Sequence, residues 1–543
     1  MVKRILRLLR PSHEHSAFSA TLLLMTAVLL SRVIGYVREA YIAWAFGVNP
    51  QTDAYVAGFT LPDWLNYVVA GGTASITFIS IYTRYIAEKR DKEAQETFSI
   101  IITVMTAVLS AGTILAEIFT PNIERHMFRG FTPDQLALCV HLTRILLPAQ
   151  IFFYVGGVVS AVLLSRRLFL FPAFAPLIYN VAIILGGVVL SHRLGISSLA
   201  YGALAGSFVG PFLINAIGAA RIGTGFRISF DTSNPAFREW VRLSIPLMLG
   251  VSLVTADDWI LRYFASSSVG DITRLNCAKR LFAVPIAILG QAVGQASLPF
   301  FARLFNEKKL SEFAASVNGS VSRVSAASFL ASGWMMAAAL PLIDLVYRRG
   351  KFLPGDTAAT AVYFFWFALS LALWSAQGLY ARAFYAAGDT WTPMTAVTLI
   401  TLASLPVYST LFHHFGVVGL AYSSDIGISV NMLALALLLH RRKLVTLDTL
   451  NWSELAKSAI VAVFAGGISF IVVRVLPPSG HGSRVDDLLQ IALVTVTWAG
   501  AVAAGLWLLK SELPAELRQR RKAAYPAVAQ AESKEILGSG TQP

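Results

Sequence analysis

The sequence predicts an all-α polytopic membrane protein of about fourteen transmembrane helices, and three observations carry that prediction. The chain is long and apolar: of 543 residues, 56% are hydrophobic and only 14% are charged, where a soluble protein carries roughly a quarter charged residues. The apolar residues fall in long continuous blocks rich in Leu, Ala, Val and Ile. Each block is near or above the ~20 residues that a helix needs to cross a hydrocarbon core about 30 Å thick. Finally, Lys and Arg concentrate in alternate loops between the blocks, as the positive-inside rule requires of a multi-pass chain. A closed β-barrel would show alternating segments of about ten residues instead.

The blocks place helices at roughly 18–46, 54–83, 97–119, 139–164, 170–191, 197–220, 241–265, 274–300, 319–347, 360–386, 393–412, 416–440, 454–476 and 487–510. The basic start of the chain (Lys3, Arg4, Arg7, Arg10) looks like the n-region of a signal peptide. The apolar run from Phe18 is long and lacks a small-residue cleavage site, so it reads as a retained first helix. With the N-terminus in the cytoplasm, about 27 Lys and Arg fall inside and about 9 outside. Arg348, Arg349 and Lys351 form the one outside cluster that runs against the bias. An even helix count returns the basic C-terminal tail to the cytoplasm. The net charge of +14 is thus a topology signal, and no nucleic-acid partner is expected.

Helices 1–6 and 7–12 read as two copies of one unit. Gly195-Ile-Ser-Ser-Leu-Ala-Tyr201 resembles Gly416-Val-Val-Gly-Leu-Ala-Tyr422, and Pro172 and Pro393 open corresponding helices at the same offset. An even number of helices per copy gives a parallel repeat about an axis along the membrane normal, a build that puts the substrate between the halves. The expected division is a cytoplasmic segment 1–17, an N-lobe 18–225, a C-lobe 226–445, two added helices in 446–510 and a cytoplasmic tail 511–543. The two lobes are pseudo-symmetric six-helix bundles around a central cavity.

Charges inside apolar blocks mark the candidate site, because each costs at least ~2.5–3.5 kcal/mol at mid-bilayer. The first helix holds Arg32, Arg38 and Glu39, the second begins near Asp53, the seventh holds Asp257, Asp258 and Arg262, and the eighth holds Lys279 and Arg280. Arg32 and Arg38 are about 1.7 turns apart and can both border a broad cavity. Gly35 between them allows a bend or a close approach. Lys279 and Arg280 diverge by about 100°, so one of them at most points squarely inward. A cation near a helix end can instead snorkel to the headgroups. Asp257 and Asp258 either balance Arg262, through the i,i+4 spacing of Asp258 and Arg262, or hold a coupling ion. A cavity with excess guanidinium suits an anion, since Arg matches phosphate oxygens bidentately and never loses its charge. Cys139 and Cys277 lack metal-ligand spacing, and His413-His414 reads as an interfacial loop pair. With no nucleophile elbow and no phosphate-cradling Gly loop, the chain is not expected to be an enzyme, and neither a cofactor nor a metal ion is expected.

Several stretches resemble the MurJ/MviN family of lipid II flippases, in the multidrug/oligosaccharidyl-lipid/polysaccharide exporter superfamily. They are Ser31-Arg-Val-Ile-Gly-Tyr-Val-Arg38, Phe46-Gly, Thr52-Asp-Ala-Tyr55 and Leu61-Pro62 in the first two helices. Further along come Pro172-Ala-Phe-Ala-Pro176 with Asn180, Ala278-Lys-Arg-Leu281 with Pro285, Gly350-Lys-Phe352, Phe384-Tyr385, Asp389-Thr390 and Thr392-Pro393. The resemblance implies a diphosphate site at Arg32, Arg38 and Arg280, with Asp53 as the aspartate of the T-D-A motif. It implies lipid II, or another polyprenyl-diphosphate glycan, as substrate, beside membrane lipids and cell-wall synthesis proteins as partners. It also implies a place in the bacterial inner membrane with both termini cytoplasmic. The second helix departs from the pattern. Where typical members read L-P-N-x-L-R-R and then A-E-G, this chain reads Leu61-Pro-Asp-Trp-Leu-Asn-Tyr67 and then Ala70-Gly-Gly72. An arginine pair and a glutamate are lost together. Rival expectations are export of a different lipid-linked glycan or of drugs, and a non-transporting scaffold for cell-wall enzymes.

Overall fold

A computed structural model describes residues 17–67, 73–166, 168–249, 253–475 and 483–515. Every regular element among them is a helix. Among the described residues nine helices are long and apolar enough to cross a membrane, or up to eleven if each of two bent pairs counts as one span. The second and seventh predicted helices each run across residues outside the described set. After α1 (Ala17–Phe46), which is the first, the second comprises α2 (Pro50–Ala57), α3 (Thr60–Leu65) and α4 (Thr73–Ala87). In the seventh, α9 (Pro235–Leu249) precedes α10 (Leu253–Ala265). The remaining segments of the first eight are α5 (Asp91–Met127), α6 (Pro133–Ser165), α7 (Leu170–Leu194), α8 (Ser197–Arg221) and α11 (Asp271–Asn306).

Several helices outrun the apolar blocks that announced them. Hydropathy ends at the hydrocarbon boundary, but a helix ends where its orphan N–H and C=O groups find other partners. Thus α5 begins at Asp91, with Asp91 and Glu93 in its first turn, where acidic groups favour the helix dipole. Likewise α6 starts with Pro133 after the Thr132 side chain accepts from the Gln135 N–H.

The chain forms two compact units. The first contains Met1–Arg280, Val346–Thr360 and Leu405–Leu420. Its apolar core gathers Leu65, Phe78, Tyr82, Phe98, Leu109, Tyr154, Val162 and Trp240 from α3 to α6 and α9. Within α8 the stretch Phe208–Ile214 is π-helical, with Pro211 inside it. Proline has no N–H and crowds the preceding turn, so the α-ladder must widen there. The cost is offset by Asn215, whose Nδ2 donates to Pro211 O at 2.8 Å and to Gly156 O at 3.2 Å. A broken ladder in hydrocarbon survives only with such a repair.

The second unit contains Leu281–Leu345, Ala361–Ser404 and Ala421–Pro543. Phe301, Phe313, Leu379, Tyr380, Phe384, Leu435 and Leu439 are among its buried residues. Here α12 (Leu310–Ala337) packs on the helix Trp452–Val475 through small residues. A side chain at Gly333 would meet Ala462 O at 2.5 Å, and one at Gly466 would meet Gly333 O at 2.9 Å. With lipid tails as apolar as leucine, such close backbone approach drives association between membrane helices. At one end of this unit Asp389 accepts from the Thr392 N–H at 2.9 Å and pairs with Arg442. Burial pushes the Asp389 pKa up, but the Thr392 and Arg442 contacts outweigh it and leave the carboxyl below its usual range.

The sequence repeat has a local structural counterpart. The helices Leu170–Leu194 and Trp391–Phe415 both have 25 residues. Each is closed by a glycine of positive φ, 54° at Gly195 and 60° at Gly416, and each is followed by another helix of 25 residues. Only glycine takes that conformation without strain, which is why both copies kept it.

The helix contact at Gly333 gives a direct check on packing. Gly333→Val is expected to lower stability by about 1–3 kcal/mol, read as a lower midpoint of thermal unfolding in detergent. An unchanged midpoint would show that the contact is loose.

Candidate functional site: an arginine-lined cavity

The first unit encloses a cavity of about 270 Å³. Its charged walls are Arg38 and Glu39 from α1, Asp63 from α3, Arg262 from α10 and Arg280 from α11, with Tyr55, Tyr179 and Asn276 between them. It therefore draws on helices from both copies of the sequence repeat.

The arginines are held differently. Arg38 is mostly covered, at 16% side-chain exposure, and pairs with Glu39. Its Nη1 donates to Asn180 Oδ1 at 2.9 Å. A side chain at Gly35 would face that same Asn180 oxygen at 3.9 Å. Arg262 is buried; its Nη1 donates to Thr60 Oγ1 at 3.0 Å and lies 3.8 Å from Asp63 Oδ2. Arg280 is the open one, at 52% side-chain exposure, with its Nε 3.9 Å from Glu39 Oε1. That distance is charge attraction without a hydrogen bond. The fork of Arg280 thus faces the cavity with most of its donors accessible. Three guanidinium groups meet two carboxylates in one wall, which leaves an excess of positive charge.

Lys279 and Arg280 diverge as neighbours on a helix must. Lys279 Nζ turns away to Asp257 Oδ2 at 2.5 Å and also pairs with Asp258. Asp257 is buried and accepts a second hydrogen bond from the Tyr408 hydroxyl. The sequence spacing pointed to Arg262 as the balancing partner of Asp258. The structure gives both aspartates to Lys279 instead, and Arg262 to Thr60 and Asp63. Intrahelical spacing allowed the first pairing; a neighbouring helix offered a closer partner.

Two other predicted residues stand apart from the cavity wall. Arg32 is exposed on α1 and is not among the lining residues. Asp53 is buried and accepts from Gly270 N at 2.5 Å, Thr273 N at 2.8 Å and Thr273 Oγ1 at 2.6 Å. Those are the orphan N–H groups at the start of α11. Asp53 therefore caps the helix that carries Lys279 and Arg280. Its Thr52 neighbour lines the cavity in its place.

Glu39 and Arg262 were noted only as charges within apolar blocks, and Asp63 and Asn276 were not noted as site residues at all. Glu39 and Asp63 had a visible signal, since each is an acid inside an apolar block. What the sequence lacked was any sign that these acids face the arginines. Of the replacements in the second helix, Ala70-Gly-Gly72 lies outside the described residues, and the other two have partners. Asn66 Nδ2 donates to Gln150 Oε1 at 2.6 Å, and the Tyr67 ring meets Trp259 edge-on at 6.2 Å. Among the described residues no group of three His, Cys, Asp or Glu could hold a metal ion.

A bundle of membrane-length helices around a cationic cavity defines a transporter of the fold shared by multidrug and lipid exporters. One solved structure of that fold is a multidrug resistance MATE family transporter of the MOP superfamily in an inward-facing conformation. It matches at TM-score 0.61 with 16% identity, over 84% of this chain and 100% of that one. A lipid II flippase MurJ in an inward closed conformation matches at TM-score 0.74 with 20% identity, over 90% of this chain and 99% of that one. The profile of the family described as "Lipid II flippase MurJ" matches residues 42–483, and the chain belongs to that family. Relatives include the "Probable lipid II flippase MurJ" of Buchnera aphidicola, 26% identical over 85% of this chain and 91% of that protein. The "Lipid II flippase MurJ" of Burkholderia cenocepacia is 26% identical over 91% of this chain and 97% of that protein.

The lysine bridge supports a stability prediction. Lys279→Met strands the buried Asp257 without its cation and is expected to cost about 3–5 kcal/mol. The pair Lys279→Met with Asp257→Asn is expected to recover more than half of that loss, measured as folded yield and thermal midpoint. No recovery in the double variant would mean that the two side chains do not depend on one another.

Proposed function

We propose that this protein moves lipid II, the lipid-linked peptidoglycan precursor, from the cytoplasmic to the outer leaflet of the bacterial inner membrane. The family membership supports this reading, and the open fork of Arg280 beside the Arg38–Glu39 pair is the observation that carries it. A diphosphate offers several charged oxygens, and guanidinium groups meet such oxygens with paired hydrogen bonds. Arg38 is pre-oriented by Asn180 and Glu39, so it loses little freedom when an anion arrives. Arg280 is unclamped and swings to the phosphate, releasing its weak attraction to Glu39. Arg32, about 9 Å nearer the start of α1 by helical rise, is the first cation that a headgroup entering from the cytoplasm would meet.

The chemistry required is binding and release alone. The polyprenyl tail stays in lipid while the headgroup crosses inside the protein. The N-lobe 18–225 and the C-lobe 226–445 rock about the cavity, as repeat-built transporters do. A membrane potential, negative inside, helps expel the anion, at ~2.3 kcal/mol per net charge per 100 mV. Asp257 and Asp258, neutralised by Lys279, serve charge balance in this scheme. Asp53 contributes by fixing the start of the helix that carries Arg280. Both termini lie in the cytoplasm.

Rescue of a bacterium depleted of its own lipid II flippase tests the assignment. The parent protein is expected to restore outer-leaflet lipid II. Arg280→Ala and Arg38→Ala, at matched expression, are expected to lose it. The loss of one charged hydrogen-bonding group corresponds to about 1.5–3 kcal/mol, or roughly ten- to a hundredfold weaker binding. Rescue by all three proteins would remove the arginine site. Failure of well-inserted parent protein would shift the substrate to another polyprenyl-diphosphate glycan. Topology has its own check: alkaline phosphatase fused after residue 515 is expected to be inactive, and fused within 128–132 active.

A further inference from the structure

A second, smaller cavity of about 170 Å³ adjoins the arginine cavity, and the two share Phe59, Asp63 and Tyr179 in their walls. Its chemistry is different. It contains no cation, and its polar side chains are the amides of Asn66 and Gln150, the Asp63 carboxylate and Tyr179, beside the rings of Phe59 and Phe153. Phe59, Asp63 and Asn66 follow one another at i, i+4 and i+7, so they share one face of the second helix. Gln150 and Phe153 share a face of α6 in the same way. Phe153 and Tyr179 meet edge-on at 5.1 Å.

The two amides are joined by a single hydrogen bond of 2.6 Å. That bond uses one amino group and one carbonyl. Whichever way each amide is turned, the pair keeps one NH₂ group and one carbonyl oxygen without a partner among the described residues. Gln150 is buried as a residue, at 5% exposure, and its spare polar atom is left to whatever fills the cavity, water or ligand. An anion finds no cation here. A neutral ligand with one N–H donor and one carbonyl acceptor finds both complements, with aromatic faces for an apolar edge.

We infer that the Asn66–Gln150 cavity is a subsite for the acetamido group of an N-acetylated sugar whose diphosphate lies in the arginine cavity. This rests on the diphosphate reading above and extends it from the phosphates to the first sugar. Asp63 stands at the passage between the two cavities, where its carboxylate accepts from sugar hydroxyls and disfavours a second anion. The Asn66 replacement then has a reason. Where relatives of the pattern L-P-N-x-L-R-R present a cation, this chain presents an amide.

The test uses the purified full chain in lipid nanodiscs and three probes: polyprenyl diphosphate, polyprenyl-diphospho-N-acetylglucosamine and polyprenyl-diphospho-glucose. The last two differ only in the acetamido group. The parent protein is expected to bind the N-acetylated probe about tenfold more tightly than the glucose probe, the effect of two neutral hydrogen bonds. Gln150→Leu is expected to bring that ratio within about twofold while leaving the affinity for polyprenyl diphosphate unchanged. Asn66→Ala, at a half-buried position, is the second variant and is expected to reduce the ratio in the same way, whether or not the first folds. Equal affinity of the parent protein for both sugars, or a ratio that survives in both variants, would overturn the subsite while diphosphate binding stands. Absence of binding to polyprenyl diphosphate itself would instead overturn the reading on which the subsite rests.

Discussion

The structure depends on keeping charge inside a medium that does not solvate it. An uncompensated charge at mid-bilayer is costly, and Arg38, Arg262 and Lys279 each lie beside a carboxylate. Glu39 is central to this arrangement, paired with Arg38 and 3.9 Å from Arg280. Remove Glu39 and two guanidinium groups face each other across a small cavity. With it, the wall keeps a modest positive excess that an anion can complete. The same logic places Asp257 and Asp258 on Lys279, and Asp63 beside Arg262. The cations differ in how tightly they are held. Lys279 is locked, Arg38 is oriented, and Arg280 is open.

Backbone groups obey the same constraint. Within hydrocarbon, a helix can be interrupted only where the freed groups find partners inside the protein. Pro211 opens a π-helical stretch, and Asn215 repairs it. Pro285 precedes a second such stretch, Ile286–Ala292, directly after the turn that carries Arg280. Asp53 meets the orphan N–H groups at the other end of the same helix. The helix that presents Arg280 is thus capped at its start by a carboxylate and changes to a π-helical stretch after Pro285.

The composition, block lengths and loop charges determined a helical membrane protein and the places of its helices, because those follow from local transfer energies that act residue by residue. The repeat was equally legible, down to Gly195 and Gly416, because a positive φ leaves a glycine behind. The arginines at 38 and 280 stood out as charges in apolar blocks. Tertiary structure alone decided what each charge meets. Arg38 finds Asn180 at a separation of 142 residues, Asp257 finds Tyr408 at 151, Arg262 finds Thr60 at 202, and Asp53 finds Gly270 at 217. The spacing of Asp258 and Arg262 along one helix favoured a pairing that Lys279 displaced. Such contacts leave no mark on periodicity, since they depend on which helices become neighbours and which faces they turn to one another. Hence the sequence by itself determined that the chain crosses the membrane many times with costly cations inside. Only the packed structure decided which of those cations is paired and which, Arg280, is left about half exposed.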